Sequence, residues 1–425
     1  MHPRPIDSTR DNPAAQSEIE LYFPDGGIRA WLTVLGGFLA FVATIGFLTG
    51  GSVFQSYYAT TALPNENPST ISWIGSVQVW GCFFFGLWSG RLSDRYGPTF
   101  PLSVGTLLMV LGNMMSSLAT EFYQVLLSQG FCLSIGMGLA FTPTLAVQSQ
   151  WFLRRRGFVV AAVMSGQNFT LLLTGVIWPV LTNKLLNEKG FSLHWTLRII
   201  AFMQLALMVA ATLLIQPRFA RSREREILPL RRYFADKRTV LFTLALLIMN
   251  LGIYIPWFFI TPYAMQWGTS PSLSFYDAAI LNAGGFFGCY ALGLIADSGF
   301  GFFNALALSC VACGVVGFAW ISVTSVPGII VWALAYGLLS GAIQATFSPC
   351  LSLLAPSPEV LGSWNGICIT INSFAVLGTG PIAGRLLENT GGTNYLPMQV
   401  FTGVTMVTAG VLFGATRFWI SCEPE

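Results

Sequence analysis

The chain has 425 residues, 54% of them hydrophobic and only 9% charged, with a formal net charge of +3. A soluble domain carries about 25% charged residues, so this composition excludes a surface covered by water and points to lipid. The small net charge gives no electrostatic footprint for nucleic acid, and an aromatic share of 14% fits interfacial belts around a helical bundle.

Residues 1–24 are polar and acidic, without an apolar core or a cleavage site, and read as a cytosolic tail. Beyond them, a spanning helix needs about 20 mostly apolar residues. Twelve runs meet that need: 30–58, 69–89, 99–119, 121–149, 157–181, 195–216, 240–266, 276–296, 302–322, 327–353, 361–386 and 396–420. Glycines such as Gly36, Gly37, Gly46 and Gly50 do not argue against helix here, because small residues let helices approach closely in a bilayer. Segment 217–239 stands apart, with eight Lys or Arg. The expected fold is therefore all-α: twelve transmembrane helices in two six-helix halves. Residues 25–216 and 240–420 form the halves, 217–239 a cytosolic linker, and 421–425 a second short tail.

Lys and Arg set the expected orientation. Arg91, Arg95, Arg154, Arg155, Arg156 and the linker fall in loops in phase with the N-terminus, whereas the opposite loops hold Lys184, Lys189 and Arg385. Both termini are expected in the cytosol, in a monomer embedded in a bilayer, with the plasma membrane as the default location.

The eight cysteines imply no disulfide framework, since seven lie in apolar runs. Cys310 and Cys313 form a CxxC pair without a second pair or a nearby His, so they read as small apolar residues and not as a metal site. No metal or cofactor is expected. The sequon Asn168-Phe169-Thr170 lies inside a membrane run, where glycosylation is not expected.

The middles of the runs are almost free of charge. Thr49, Asn168, Asn250 and Asn282 are polar there, where each charged residue costs at least about 2.5 kcal/mol on insertion scales. Amides and hydroxyls of this kind suit neutral, oxygenated ligands. Asn250 and Tyr254 lie four apart on one face of the seventh run. The candidate substrate-cavity residues are Thr49, Gln55, Gln167, Asn168, Asn250, Tyr254, Asn282, Cys289, Tyr336, Gln344 and Asn372, with Trp80, Trp257 and Trp332 as stacking surfaces. For each amide the competing reading is an interhelical hydrogen bond.

The six-plus-six layout and one loop carry a resemblance. Gly90-Arg91-Leu92-Ser93-Asp94-Arg95-Tyr96-Gly97, after the second run, looks like the signature loop of major facilitator transporters. Asp94 has two candidate partners, a basic residue or the positive end of a helix from the other half. Arg91 and Arg95 are candidates to hold carboxylates or carbonyls across the same seam. By resemblance, this loop, with Gly90 and Gly97 as its turn residues, latches the outward-facing state.

A wider set narrows the resemblance: Pro24-Asp25-Gly26-Gly27 with Ala30-Trp31; Gly130, Gly136, Gly138 and Pro143; Trp151-Phe152 with Arg155-Arg156-Gly157; Trp195-Thr196-Leu197-Arg198; Leu281-Asn282-Ala283-Gly284; and Gly380-Pro381 with Thr390-Gly391-Gly392. Together these are similar to the monocarboxylate porter family, in its fungal branch, over about residues 24–420. One departure bears on cargo. The family's arginine after the glycine of helix eight is replaced here by Cys289, and the lysine of its lactate-type members falls near Thr49. A bare carboxylate at bilayer depth needs a cation or several aimed donors.

The leading expectation is a secondary transporter working by alternating access, moving a small organic metabolite and exporting a fungal secondary metabolite. The alternatives are a proton-linked importer of a small monocarboxylate, held by amides and Arg198, and a non-transporting sensor on the same fold. Asp277 and Arg198 are the candidate coupling residues, with protons as the candidate ion. The bland reading of Arg198 is an interfacial anchor beside Trp195. A membrane enzyme is not expected, since His2 and His194 are the only histidines and neither forms a metal or nucleophile motif.

Overall fold

The computed structural model describes residues 25–48, 54, 57–58, 62–63, 66, 68–172, 192–218, 230–269, 271–357, 360–390 and 394–422. Among these, twelve long helices follow one another: α1 Ile28–Leu48, α2 Thr70–Tyr96, α3 Thr99–Ser116, α4 Phe122–Trp151, α5 Arg156–Leu172, α6 Leu193–Leu214, α7 Lys237–Gln266, α8 Pro271–Ile295, α9 Phe302–Ser322, α10 Val326–Leu354, α11 Leu361–Glu388 and α12 Leu396–Cys422. Eleven helices are long and apolar enough to cross a membrane, and α5 adds 17 described residues to the set. The all-helical, twelve-helix fold expected from the apolar runs is thus the one observed.

Run edges drift where polarity and helicity part company. The second run ends at 89 by hydropathy, but α2 continues through Arg91, Asp94 and Arg95 to Tyr96. It stops at Gly97, whose φ of 81° lies in the left-handed region that glycine tolerates.

Buried apolar side chains gather in two large clusters. One holds Phe41, Met137, Phe141 and Leu197 from helices up to α6; the other holds Phe242, Met249, Trp320 and Phe413 from α7 onward. Small residues set the tightest crossings, as expected where oil-on-oil burial supplies no drive. A Cβ on Gly288 or on Gly337 would overlap backbone of Leu338 or Leu281, so α8 and α10 touch through their main chains.

Among the described residues three helices are interrupted near mid-depth: α1 at Thr44, α2 at Phe85 and α7 at Tyr254. Pro256 accounts for the last, since it lacks an N–H and its ring opposes the carbonyl four residues back. Backbone groups freed in a bilayer must find partners. The Tyr336 hydroxyl donates to Ile253 O (3.0 Å), and Gln204 Nε2 donates to Ala43 O (2.9 Å).

The end of the bundle where α2, α4 and α10 finish and α5, α7 and α11 begin carries Arg91, Arg95, Arg154, Arg155, Arg231 and Arg232, and is called the basic face below. Asp25 straps the start of α1 to it. Its carboxylate accepts from the N–H groups of Leu153 and Arg154 (2.7 and 2.8 Å), and Trp31 packs edge-on against Phe152. Arg156 closes the same turn, donating to Phe152 O and Ser149 O (both 3.2 Å).

Candidate functional site

The two sets of helices meet along two seams, α2 against α11 and α8 against α5. Both seams are built the same way. At the basic face Asp94, one turn from the end of α2, accepts from the N–H groups of Gly362 and Ser363 at the start of α11 (3.0 and 2.6 Å). Asp297, in the wide turn Ala296–Phe300 after α8, accepts from Gly157 and Phe158 N–H at the start of α5 (both 2.8 Å). Each carboxylate thus occupies the positive end of a helix from the opposite set, where unpaired N–H groups and the helix dipole favour an anion.

Of the two partners open to Asp94 in the sequence, the structure shows the helix end. Arg91 and Arg95 hold no carboxylate among the described residues: Arg95 lies over the Tyr96 ring, 5.3 Å from its centre, and Arg91 Nε is buried without a hydrogen-bond partner there. Asp297 was not singled out as a seam residue by sequence. The signal was present as a repeat, because Gly90 precedes Asp94 by four residues and Gly293 precedes Asp297 by four. Those glycines matter in the same way. A Cβ on Gly90 would overlap Gly362 O, and one on Gly293 would crowd Gly157 O.

Moving inward, Gly86 faces Gly366, and on the other seam Cys289 packs with Ala161 and Ala345. Cys289 is fully buried, and its thiol donates to Gly341 O (3.1 Å). The place where the family resemblance expects an arginine is therefore a closed junction of α5, α8 and α10. Next, Thr370 of α11 bonds to α2 and Ser165 of α5 bonds to Tyr290 of α8 (3.0 Å). Last, Gln167 of α5 donates to Gln344 of α10, and Asn168 Nδ2 reaches Cys289 Sγ (3.8 Å). Gln344 lies ten residues from the end of α10, about 15 Å at 1.5 Å per residue. That is half the thickness of a bilayer core of about 30 Å. The contacts thus run from the basic face to mid-depth, reinforced at the edge by Ser149 of α4 and Ser352 of α10 (3.2 Å).

The remaining candidates separate by surroundings. Tyr336 is fully buried against Trp332 and mends the break in α7. Asn250 donates to Leu246 O and to Asn372 Oδ1 (3.1 Å), while Asn372 donates to Cys368 O, so this pair ties α7 to α11. Tyr254 is half-buried at the α7 break and packs against the cluster of its own set. Asn282 is buried on α8. Thr49 and Gln55 lie outside the described residues. Arg198 donates to Ser117 Oγ (3.3 Å) and lies over Trp195, on a helix that packs against α1 and α3. That is the anchoring role, away from both seams. Asp277 is buried near the start of α8, and its Oδ2 has no hydrogen-bond partner among the described residues. Arg385 pairs with Glu388 at the exposed end of α11 (3.3 Å).

Comparison with known proteins agrees with this geometry. Residues 33–377 match the family described as Major Facilitator Superfamily. The chain is similar to the agnestins efflux protein AgnL12 of Paecilomyces divaricatus, 36% identical with 92% of this chain and 88% of that protein covered. It is also similar to the aspyridones efflux protein apdF of Emericella nidulans, 36% identical over 94% of this chain and 80% of that one. Its fold resembles the solved fucose:proton symporter FucP of E. coli, with a TM-score of 0.70 at 15% identity, covering 92% of this chain and 98% of that one.

Proposed function

The chain belongs to the major facilitator superfamily, as a multi-pass membrane transporter, and we propose that it exports an uncharged, oxygenated fungal metabolite by alternating access. The observation that carries the cargo class is the mid-depth junction itself. Gln167 and Gln344 meet there, Tyr254 lies at the break in α7, and the helix-eight position where a cation is expected by resemblance holds the sealed Cys289. Amides and a phenol recognise hydroxyl, carbonyl and aromatic groups, while a carboxylate without a cation would carry its desolvation cost uncompensated. The efflux names of the fungal relatives favour the outward direction.

The seams give the cycle its two states. In the observed state the basic face is closed by two carboxylate-capped helix ends, two glycine crossings and the glutamine pair. With the basic face in the cytosol, following the Lys and Arg bias, this is the state that releases cargo outward. Asp94, Asp297, Gly90 and Gly293 act as the cytosolic gate, and residues 25–216 and 240–420 rock about the central site. Membership of the monocarboxylate porter branch, a plasma-membrane location and cytosolic termini complete the reading. The test is transport into inside-out vesicles: saturable uptake of a neutral, oxygenated aromatic compound, weakened in Gln344→Leu, is expected. Transport of lactate or pyruvate in preference to it would overturn the cargo class.

A further inference from the structure

Two of the three interrupted helices are mended from within their own set: Gln204 of α6 serves α1, and Tyr336 of α10 serves α7. The break in α2 is served differently. Thr370 of α11, across the seam, donates its hydroxyl to Phe84 O (2.8 Å) and accepts from Leu87 N–H (2.9 Å). One hydroxyl has one proton to give and lone pairs to receive, so a single side chain spans the break at Phe85, where φ and ψ are −74° and 1°. No proline lies in Thr70–Tyr96 to force the bend, and insertion of a side chain into the ladder is a known cause of kinks. Gly86 lets α11 come close enough, since Ile369 and Gly366 already stand against the place a Cβ would fill.

We propose that Thr370 is a positioning residue for the transport cycle: it holds α2 bent only while the α2–α11 seam is closed. The inference rests on the alternating-access reading above. When the seam parts, Phe84 O and Leu87 N–H lose the side chain that holds α2 bent, and straightening lets the helix pair them internally. Gln78, Trp80 and Cys82, on the far side of the break, then move relative to Gly90 and Asp94. Gate opening and reshaping of the cavity wall become one event.

The experiment uses the full chain with Ser352→Cys as reporter and a membrane-impermeant maleimide applied from the basic face, because Ser352 is covered by Ser149 when the seam is closed. Thr370→Val keeps the shape and loses both bonds. At about 0.6 kcal/mol for an average membrane hydrogen bond, labelling is expected to rise roughly sevenfold, with Thr370→Ser restoring the wild-type rate. Equal rates in wild type and Thr370→Val, or equal rates in the Ser and Val variants, would overturn the proposal. A second measurement leaves Thr370 intact. Spin labels at Trp73→Cys and Tyr96→Cys, both exposed ends of α2, should move apart when Asp94→Asn loosens the gate, and an unchanged distance contradicts straightening. If Asp94→Asn does not raise labelling of Ser352→Cys, the alternating-access reading itself fails; if it does and Thr370→Val does not, only the role of Thr370 fails.

Discussion

Replacing Asp297 by alanine should open the basic face as readily as replacing Asp94, although only Asp94 lies in the recognised loop. The structure sets the magnitude. Asp297 accepts two N–H bonds of 2.8 Å from the first turn of α5, and Asp94 makes the equivalent pair to α11. Charge-assisted bonds are worth about 1.5–3 kcal/mol each when intact, but water takes over both partners once the seam opens. The net preference then follows the helix-terminus effect, up to about 2 kcal/mol in a partly buried geometry. At 1.4 kcal/mol per tenfold, the open population should rise roughly 25-fold in Asp297→Ala. Asp297→Asn, which keeps an acceptor but loses the charge, should fall between the two. Labelling of Ser352→Cys from the basic face reads this directly. A wild-type rate in Asp297→Ala, beside a raised rate in Asp94→Ala, would refute the two-seam gate and leave the α5–α8 seam as passive packing.

Three further outcomes are expected. Cys289→Arg should not create carboxylate transport: the side chain is sealed among Ala161, Ala345 and Gly341, so overpacking of about 1–3 kcal/mol should instead speed labelling of Ser352→Cys, and lactate uptake gained by the variant would contradict this. Gln167→Leu and Gln344→Leu should weaken cargo affinity to a similar degree, with the double variant little worse than either, because the two amides act as one pair; additive losses in binding assays would separate them. Asp236, which caps α7, has its carboxyl below the usual range: burial alone would raise it, but hydrogen bonds from Thr239 and from the side chain and backbone of Arg238, with the charge of Arg238, prevail. A lowered folded value contributes stability that is full above about pH 4 and is lost as pH falls through that value. Asp236→Ala should cost about 1 kcal/mol at pH 7 and converge with wild type in strong acid, and a gap that is constant with pH would count against the cap.

The helices were legible because a bilayer imposes a length and a composition on each of them; runs such as 302–322 and 396–420 nearly coincide with α9 and α12. Polar residues were harder to assign, because an amide in a membrane can serve a ligand or a neighbouring backbone with the same chemistry. Tyr336 went to the backbone, and the reason was visible as Pro256, which frees carbonyls in α7. Asn250 and Asn372 went to each other. Asp297 hid because no basic neighbour marks it, only the Gly-to-Asp spacing it shares with Asp94. Thr370 left no trace in the sequence at all, since a hydroxyl on an apolar helix usually bonds to its own preceding turn, and its partners depend on how two sets of helices meet.

The central claim is export of an uncharged metabolite, and untargeted mass spectrometry of cells and medium, with and without the gene, tests it most directly. The account expects a neutral, oxygen-bearing compound to fall in the medium and accumulate in cells when the gene is absent. A compound that instead stays in the medium of the deletion strain, above all a small carboxylate, would show uptake and contradict it.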